Sequence, residues 1–323
     1  MVDFSIETTG EQIVAEFGAN AEGKTFVVTG PSAGGLGAEL LVTLAKAKSS
    51  PAHFVLAGRN ETKISPVIEK IREVNPKIKT TFVKVDFLDN SSVRKAAEEI
   101  DAAVNGKIDV LINNAGIAAK KEFVLSKDGV EQHFAANFLG HFILTNVLAE
   151  TIIKSNGVVL NIASMAYTLA ETNTEDPNFN DGKDYNAWIA YGRSKTANIL
   201  FTYALAEKYG GKLTSLVTDP GMAHDSQLLV NSAVDEEFLG EGFKIAGERM
   251  KGKEVPKTVL VSMQQGIASQ LRASLDPSLR ARAPAFIKES NIIPVLPYAS
   301  DKGEALKLWS LGEKLAGESF GPK

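Results

Sequence analysis

Short, nearly continuous apolar runs alternate with stretches of helical apolar spacing along most of this 323-residue chain. The runs are KTFVVTG (24–30), HFVLAGR (53–59), TFVKVDF (81–87), IDVLINNAG (108–116), GVVLNIAS (157–164) and KLTSLVTDPG (212–221). A strand with one wet face alternates apolar and polar residues, whereas a strand buried on both faces does not. The runs therefore predict a parallel sheet covered on both sides. LGAELLVTLAKA (36–47), a segment near 61–74, SSVRKAAEEIDAAV (91–104), a long stretch near 128–153 and the stretch after 185 supply the helices. Strand and helix in alternation, with right-handed crossovers, give an open, doubly wound α/β fold. No linker or repeat divides the chain, so it reads as a single domain over 1–323.

In such sheets ligands bind beyond the carboxyl ends of the strands. Thr29–Gly30, Gly58–Arg59, Asp86, Asn113–Gly116, Ser164 and Pro220–Gly221 each close a run, so six strand ends would converge on one crevice. The loop TGPSAGGLG (29–37) joins the first strand to a helix. Its glycines let the backbone approach a pyrophosphate, and the helix N-terminus offers amide donors. Gly30, Ser32, Gly35, Leu36 and Gly37 are the expected cradle. After the second run, Gly58 stands where an NAD-binding fold carries an acid for the ribose 2′-OH, and Arg59 follows. The arginine fork suits a 2′-phosphate, which predicts NADP(H). Asp86, followed by Phe87, either accepts from an adenine amino group or makes a turn. NNAG (113–116) brings Asn113, Ala115 and Gly116 against a ligand.

AYGRSKTANIL (190–200) places Tyr191 and Lys195 four apart, on one helix face. A neighbouring ammonium favours the phenolate and lowers a tyrosine's pKa, which suits proton transfer near neutral pH. The spacing alone decides nothing, because composition supplies about half such a pair by chance. A second pair, Tyr298 and Lys302, lies in a turn-like PYASDK and is read as the chance match.

The glycine loop, NNAG, a serine after the fifth strand, Y-x-x-x-K and P-G occur in the order of the classical short-chain dehydrogenase/reductase superfamily, which this chain resembles over roughly residues 22–315. YNAWIAYGRSKTANILFTYALAEK (185–208) and NFLGHFILTNVL (137–148) are similar to its retinol dehydrogenase and WW-domain oxidoreductase branch. LDPSL and PYASDKGEALKLWSLGEKL look like fungal and plant relatives of that branch. The resemblance implies a Rossmann fold with a sheet of about seven strands. It implies that Tyr191 is the acid/base and that Lys195 lowers its pKa and holds the nicotinamide ribose. It further implies that Ser164 orients the substrate oxygen and that Asn137 holds a water linking Lys195 to solvent. Read alone, Ser164 is equally a helix cap and Asn137 a packed polar residue. Pro220 and Gly221 would adjoin the cofactor. The resemblance also implies a homodimer or homotetramer packed through the fourth and fifth helices.

Three departures stand out. The glycine loop is one residue longer than G-x-x-x-G-x-G, with Gly34 or Gly35 the added one. Asp225 stands where the pattern has threonine, close to expected phosphates, with Ser226 beside it. The chain lacks the N-terminal membrane anchor common in retinol dehydrogenases, and no apolar run of spanning length appears. Its polar start is not a signal peptide, which predicts a cytoplasmic protein.

Residues 222–256 are the expected lid, with Met222, Leu228, Leu229, Val230, Phe238, Leu239, Phe243, Ile245 and Met250. An insert at 167–189, with Tyr167, Phe179, Tyr185 and Trp188, is either another wall or a surface excursion. Both point to a bulky, mostly apolar ketone or secondary alcohol, steroid-like, aromatic or polyketide, as the small-molecule substrate. The chain has no cysteine and four histidines, none in zinc-site spacing, so no metal is expected. A net charge of −4 gives no footprint for nucleic acid. The alternative reading is a non-catalytic nicotinamide-dinucleotide sensor, mildly favoured by Asp225 and the longer loop. Epimerisation or dehydration on the same fold ranks last, because NNAG argues against it.

Overall fold

A computed structural model describes residues 3–228, 234–251 and 260–322 of the chain. The central sheet has eight strands, one more than expected. They are β1 (Thr25–Thr29), β2 (His53–Gly58), β3 (Lys79–Lys84), β4 (Val110–Asn113), β5 (Val158–Ile162), β6 (Thr214–Asp219), β9 (Ala285–Lys288) and β10 (Asn291–Ile293). Between β6 and β9, the two-residue strands β7 (Met222–Ala223) and β8 (Leu260–Val261) pair in parallel apart from the sheet. The sheet order is β10-β9-β6-β5-β4-β1-β2-β3, parallel throughout except for β10, which returns antiparallel on β9. The order reverses between β1 and β4, which is where a doubly wound sheet opens a crevice.

Alternate residues of the strands feed two cores. Val27, Val55, Leu111 and Val159 face one side, and Phe26, Val28, Phe54, Leu56, Val110, Ile112, Val158 and Leu160 the other. On the second side pack α1 (Gly10–Phe17), α2 (Leu36–Ala45), α3 (Glu61–Val74) and the helix Met263–Leu275. The first side carries α4 (Asn90–Val104), α5 (Gly140–Val147), α6 (Ala149–Lys154), α7 (Ala187–Lys208) and the C-terminal helix Lys302–Ala316. The edge strand β3 has exposed lysines at both ends, Lys79 and Lys84, as befits an edge.

The stretch expected as one helix near 128–153 is three pieces. A π-helical turn over Phe134–Leu139 precedes α5, and α6 follows it. Such turns displace one residue from the regular ladder and recur at functional sites. Here the turn contains Asn137. The helix Lys302–Ala316 lies across α7 and α5, with Trp309 fully buried among Phe142, Phe201 and Tyr209. Part of the apolar surface of the fourth and fifth predicted helices is thus covered by the chain itself, while Val147 on α5 stays 39% exposed. Among the described residues, no helix is long and apolar enough to cross a membrane, and no cluster of side chains is suited to a metal.

Candidate active site

A cavity of about 1090 Å³ runs along the carboxyl edge of the sheet. Gly30, Ser32, Gly35, Leu36, Arg59, Asp86, Phe87, Ala115, Gly116, Ser164, Tyr191, Lys195, Pro220 and Gly221 all line it. The structure therefore brings together most of the residues singled out from the sequence. Gly37, Asn113 and Asn137 stand behind its wall.

Gly35 is the N-cap of α2, and no side chain caps that end. The Ala38 amide bonds back to the Gly35 carbonyl oxygen, which leaves the Leu36 and Gly37 amides for an anion, and the helix dipole favours one there. Arg59 opens the loop after β2, and Asn60, Thr62 and Lys63 line the same end of the cavity. Two cations beside an uncapped helix N-terminus suit the phosphates of a dinucleotide. The residues present fit a nicotinamide dinucleotide.

α7 is a 22-residue helix opened by Asn186, whose side chain accepts from the amides of Trp188 and Ile189. It is buried almost all round, so polar side chains along it must find partners. Gly192 explains how it approaches the site. A Cβ there would lie 2.9 Å from the carbonyl oxygen of Ala166. The missing side chain lets α7 press against the 3₁₀ turn Met165–Leu169, and Ser164 caps that turn through the amide of Ala166. Tyr191 and Ser164 meet as a result. Lys195 Nζ donates to the carbonyl oxygen of Ile162 at 3.0 Å and lies 5.6 Å from the Tyr191 ring centre.

The electrostatics differ from the expectation for a simple tyrosine–lysine pair. Burial pushes the Tyr191 phenol up to about 12, while the Ser164 hydroxyl pulls it down and Asp219 adds to the rise. Burial pulls Lys195 down to about 8. Lys195 stands beside Tyr191, but burial of the phenol dominates its shift.

Asn137 is fully buried. Its Oδ1 accepts from the Ile117 amide at 2.8 Å, and its Nδ2 donates to Ile117 O at 3.0 Å and to Ser194 Oγ at 2.9 Å. It clamps the segment after NNAG to α7. His141 Nδ1 lies 3.1 Å from the Asn137 carbonyl oxygen, and its Nε2 lies 2.9 Å from Thr29 Oγ1. Asn113 turns away from the cavity and donates to Thr145 and Asn161. Its neighbour Asn114 lines the cavity and donates to the carbonyl oxygens of Thr29 and Gly30. A Cβ on Gly37 would meet that Asn114 side chain at 2.6 Å, so Gly37 provides close packing rather than a cavity surface.

A family model described as short chain dehydrogenase matches residues 24–175. The chloroplastic short-chain dehydrogenase TIC 32 B of Brassica napus is 30% identical, over 92% of this chain and 89% of its own length. The chain belongs to the short-chain dehydrogenase/reductase superfamily. Its retinol dehydrogenase-like branch includes mouse retinol dehydrogenase 13, which is 28% identical over 93% of this chain and 85% of its own length. A solved structure of an uncharacterised protein from Mycobacterium paratuberculosis is 27% identical, with a TM-score of 0.63 over 93% of this chain and 96% of that one. As a member of this superfamily the protein is an oxidoreductase that uses a nicotinamide cofactor on a small molecule.

Against the family pattern, the longer glycine loop is accommodated at Gly34. It has φ +76°, its carbonyl oxygen accepts from the Gln227 amide, and a Cβ there would strike Gln227 at 2.7 Å. Gly35 keeps an ordinary extended φ as the helix cap, so Gly34 is the residue that needs the left-handed region. Asp225 is exposed beside His224 and does not line the cavity, whereas the buried Ser226 does. The repulsive carboxylate expected near the phosphates is therefore turned away.

Of the lid residues, Met222, Leu228, Leu239 and Phe243 line the cavity. Phe238, Ile245 and Met250 pack in or beside the helix Glu236–Arg249, and Leu229 and Val230 lie outside the described residues. Trp188 is the one insert aromatic on the cavity wall, held by Nε1 donating to Phe238 O at 2.7 Å. Phe179 and Tyr185 pack edge to face, with the Arg193 guanidinium over Phe179. Tyr167 packs against Tyr298, whose hydroxyl donates to the Tyr167 carbonyl oxygen. Tyr298 and Lys302 are accordingly structural, and Lys302 pairs with Glu207. Sequence reasoning missed Lys63, Asn114 and Asp219 on the wall. Lys63 has no motif, Asn114 is ambiguous with Asn113, and Asp219 before Pro-Gly reads as a turn residue.

Proposed function

We propose that this protein is an NADP(H)-dependent carbonyl reductase or alcohol dehydrogenase acting on a bulky, mostly apolar ketone or secondary alcohol. The observation that carries the reading is the convergence of Ser164, Tyr191 and Lys195 on one cavity whose far end holds Arg59 and Lys63. The bound cofactor supplies the hydride. Ser164 hydrogen-bonds the substrate oxygen and fixes it against Tyr191. In reduction the Tyr191 hydroxyl gives its proton to the developing alkoxide; in oxidation the phenolate takes the alcohol proton. Lys195 stabilises that phenolate. Asn137 acts from behind, holding α7 and the 117 segment in register. Trp188, Leu239 and Phe243 give the substrate end its apolar walls and exclude water from the reacting atoms. Arg59 and Lys63 support the preference for a 2′-phosphate.

The test is turnover of NADPH against a panel of steroid-like, aromatic and polyketide ketones, with the wild type and Tyr191→Phe in parallel. A ketone reduced by the wild type and not by the variant supports the reading. Equal rates in both would overturn the role of Tyr191.

A further inference from the structure

One buried carboxyl group in the cavity has no part in the mechanism above. Asp219 closes β6 and is 3% exposed. Its Oδ1 accepts from the Gly221 amide at 3.1 Å, and its Oδ2 is buried with no side-chain hydrogen bond of ordinary geometry among the described residues. The sheet register shows what surrounds it. On β5, Ile162 pairs with Thr218, the residue before Asp219, and the Ile162 carbonyl oxygen holds Lys195 Nζ. On β9, Lys288 pairs directly with Asp219. Asp219 and Lys288 thus close two neighbouring strands, the next strand end holds Lys195 of α7 through Ile162, and all three side chains line the cavity.

We propose that Asp219 is a positioning residue for the acid–base pair: its buried carboxylate is the counter-charge that keeps Lys195 an ammonium beside Tyr191. The inference rests on the reading of Lys195 as the partner of Tyr191. An ammonium held by one carbonyl oxygen in a buried site is poorly compensated, and a nearby carboxylate is the remedy. Burial pulls Lys195 down, and Asp219 is the group that raises it. Burial also pushes Asp219 up, opposed by the Gly221 amide, by Lys288 and by the Met165 amide of the 3₁₀ turn, and reinforced by Glu289. The other titratable groups that feel Asp219 are Tyr191 and Tyr167. Lys288 is itself paired with Glu289 at 2.6 Å.

The experiment is a pH titration of the Lys195 side chain by lysine ¹³Cε NMR on the full chain without cofactor, with Lys195→Met to assign the resonance. The wild-type Lys195 midpoint is expected near 8. In Asp219→Asn, which keeps the acceptor for Gly221, the midpoint falls by roughly one pH unit. The wild-type resonance also carries a smaller step on the acid side, as Asp219 takes up its proton, and the variant lacks it. A Lys195 midpoint unchanged or raised in Asp219→Asn overturns the proposal. Should that variant fail to fold, absence of the acid-side step in the wild type overturns it equally. Because no cofactor is present, failure here leaves the reading of the enzyme's function standing, and failure of that reading does not move this titration.

Discussion

Lys195 Nζ donates to the carbonyl oxygen of Ile162 at 3.0 Å, which ties the helix bearing Tyr191 to the end of β5. The same carbonyl oxygen also accepts from Asn198 Nδ2 at 2.8 Å. The lysine is therefore both a charge in the site and a strut beneath it.

These two duties separate in variants. Tyr191→Phe removes the transferable proton and leaves the strut, so kcat falls about 10²- to 10⁴-fold with cofactor affinity unchanged. Lys195→Met lowers kcat and weakens cofactor binding together. Steady-state kinetics beside cofactor titration of both variants measures the split. Equal cofactor affinity in the two variants contradicts it.

Acid weakens the fold through His141. Burial pulls its pKa to about 4, from 6.5. A group whose folded pKa is depressed stabilises above its unfolded pKa, so this contribution is complete above about pH 6.5 and lost as pH falls toward 4. The loss is about 3 kcal/mol for a shift of this size. His53 shifts in the same direction. Denaturant unfolding of the wild type and His141→Gln between pH 7 and 4 should show a shallower decline in the variant. Parallel declines would remove His141 from the account.

Trp309 seals the C-terminal helix onto α5 and α7, at 5.0 Å from the Phe142 ring. Trp309→Ala should cost about 3–5 kcal/mol. Denaturant unfolding of the wild type and the variant measures the loss. An unchanged unfolding midpoint in the variant contradicts this assignment.

The strand ends were legible in the sequence because continuous apolar runs stop there at glycine, aspartate, asparagine or serine. The lining by Gly30, Arg59, Asp86, Ser164 and Pro220 follows from that geometry. Other features depended on what no spacing reports. Asn113 and Asn114 are adjacent at a strand end, so they face opposite sides, and the pattern does not say which one meets the cavity. The pKa of Tyr191 is set by how completely α7 is buried, which Gly192 allows and the Tyr–Lys interval does not encode. The strands AFIK and NII are too short to show a period, and the cap of α1, Thr9 with Gln12, was present but lay in a segment read as polar. Among the aromatics of the insert, only contacts made after folding separate Trp188, on the wall, from Phe179 and Tyr185, in their own cluster.

The most direct test of the central claim is a fluorescence titration of NADPH and NADH against the wild type and Arg59→Ala. The account predicts tight NADPH binding that weakens about 10- to 100-fold in the variant, the scale of one lost charge-assisted contact, with NADH little changed. Binding of neither nucleotide by the wild type would contradict it, because the cavity that unites Arg59 with Tyr191 would then serve some other ligand.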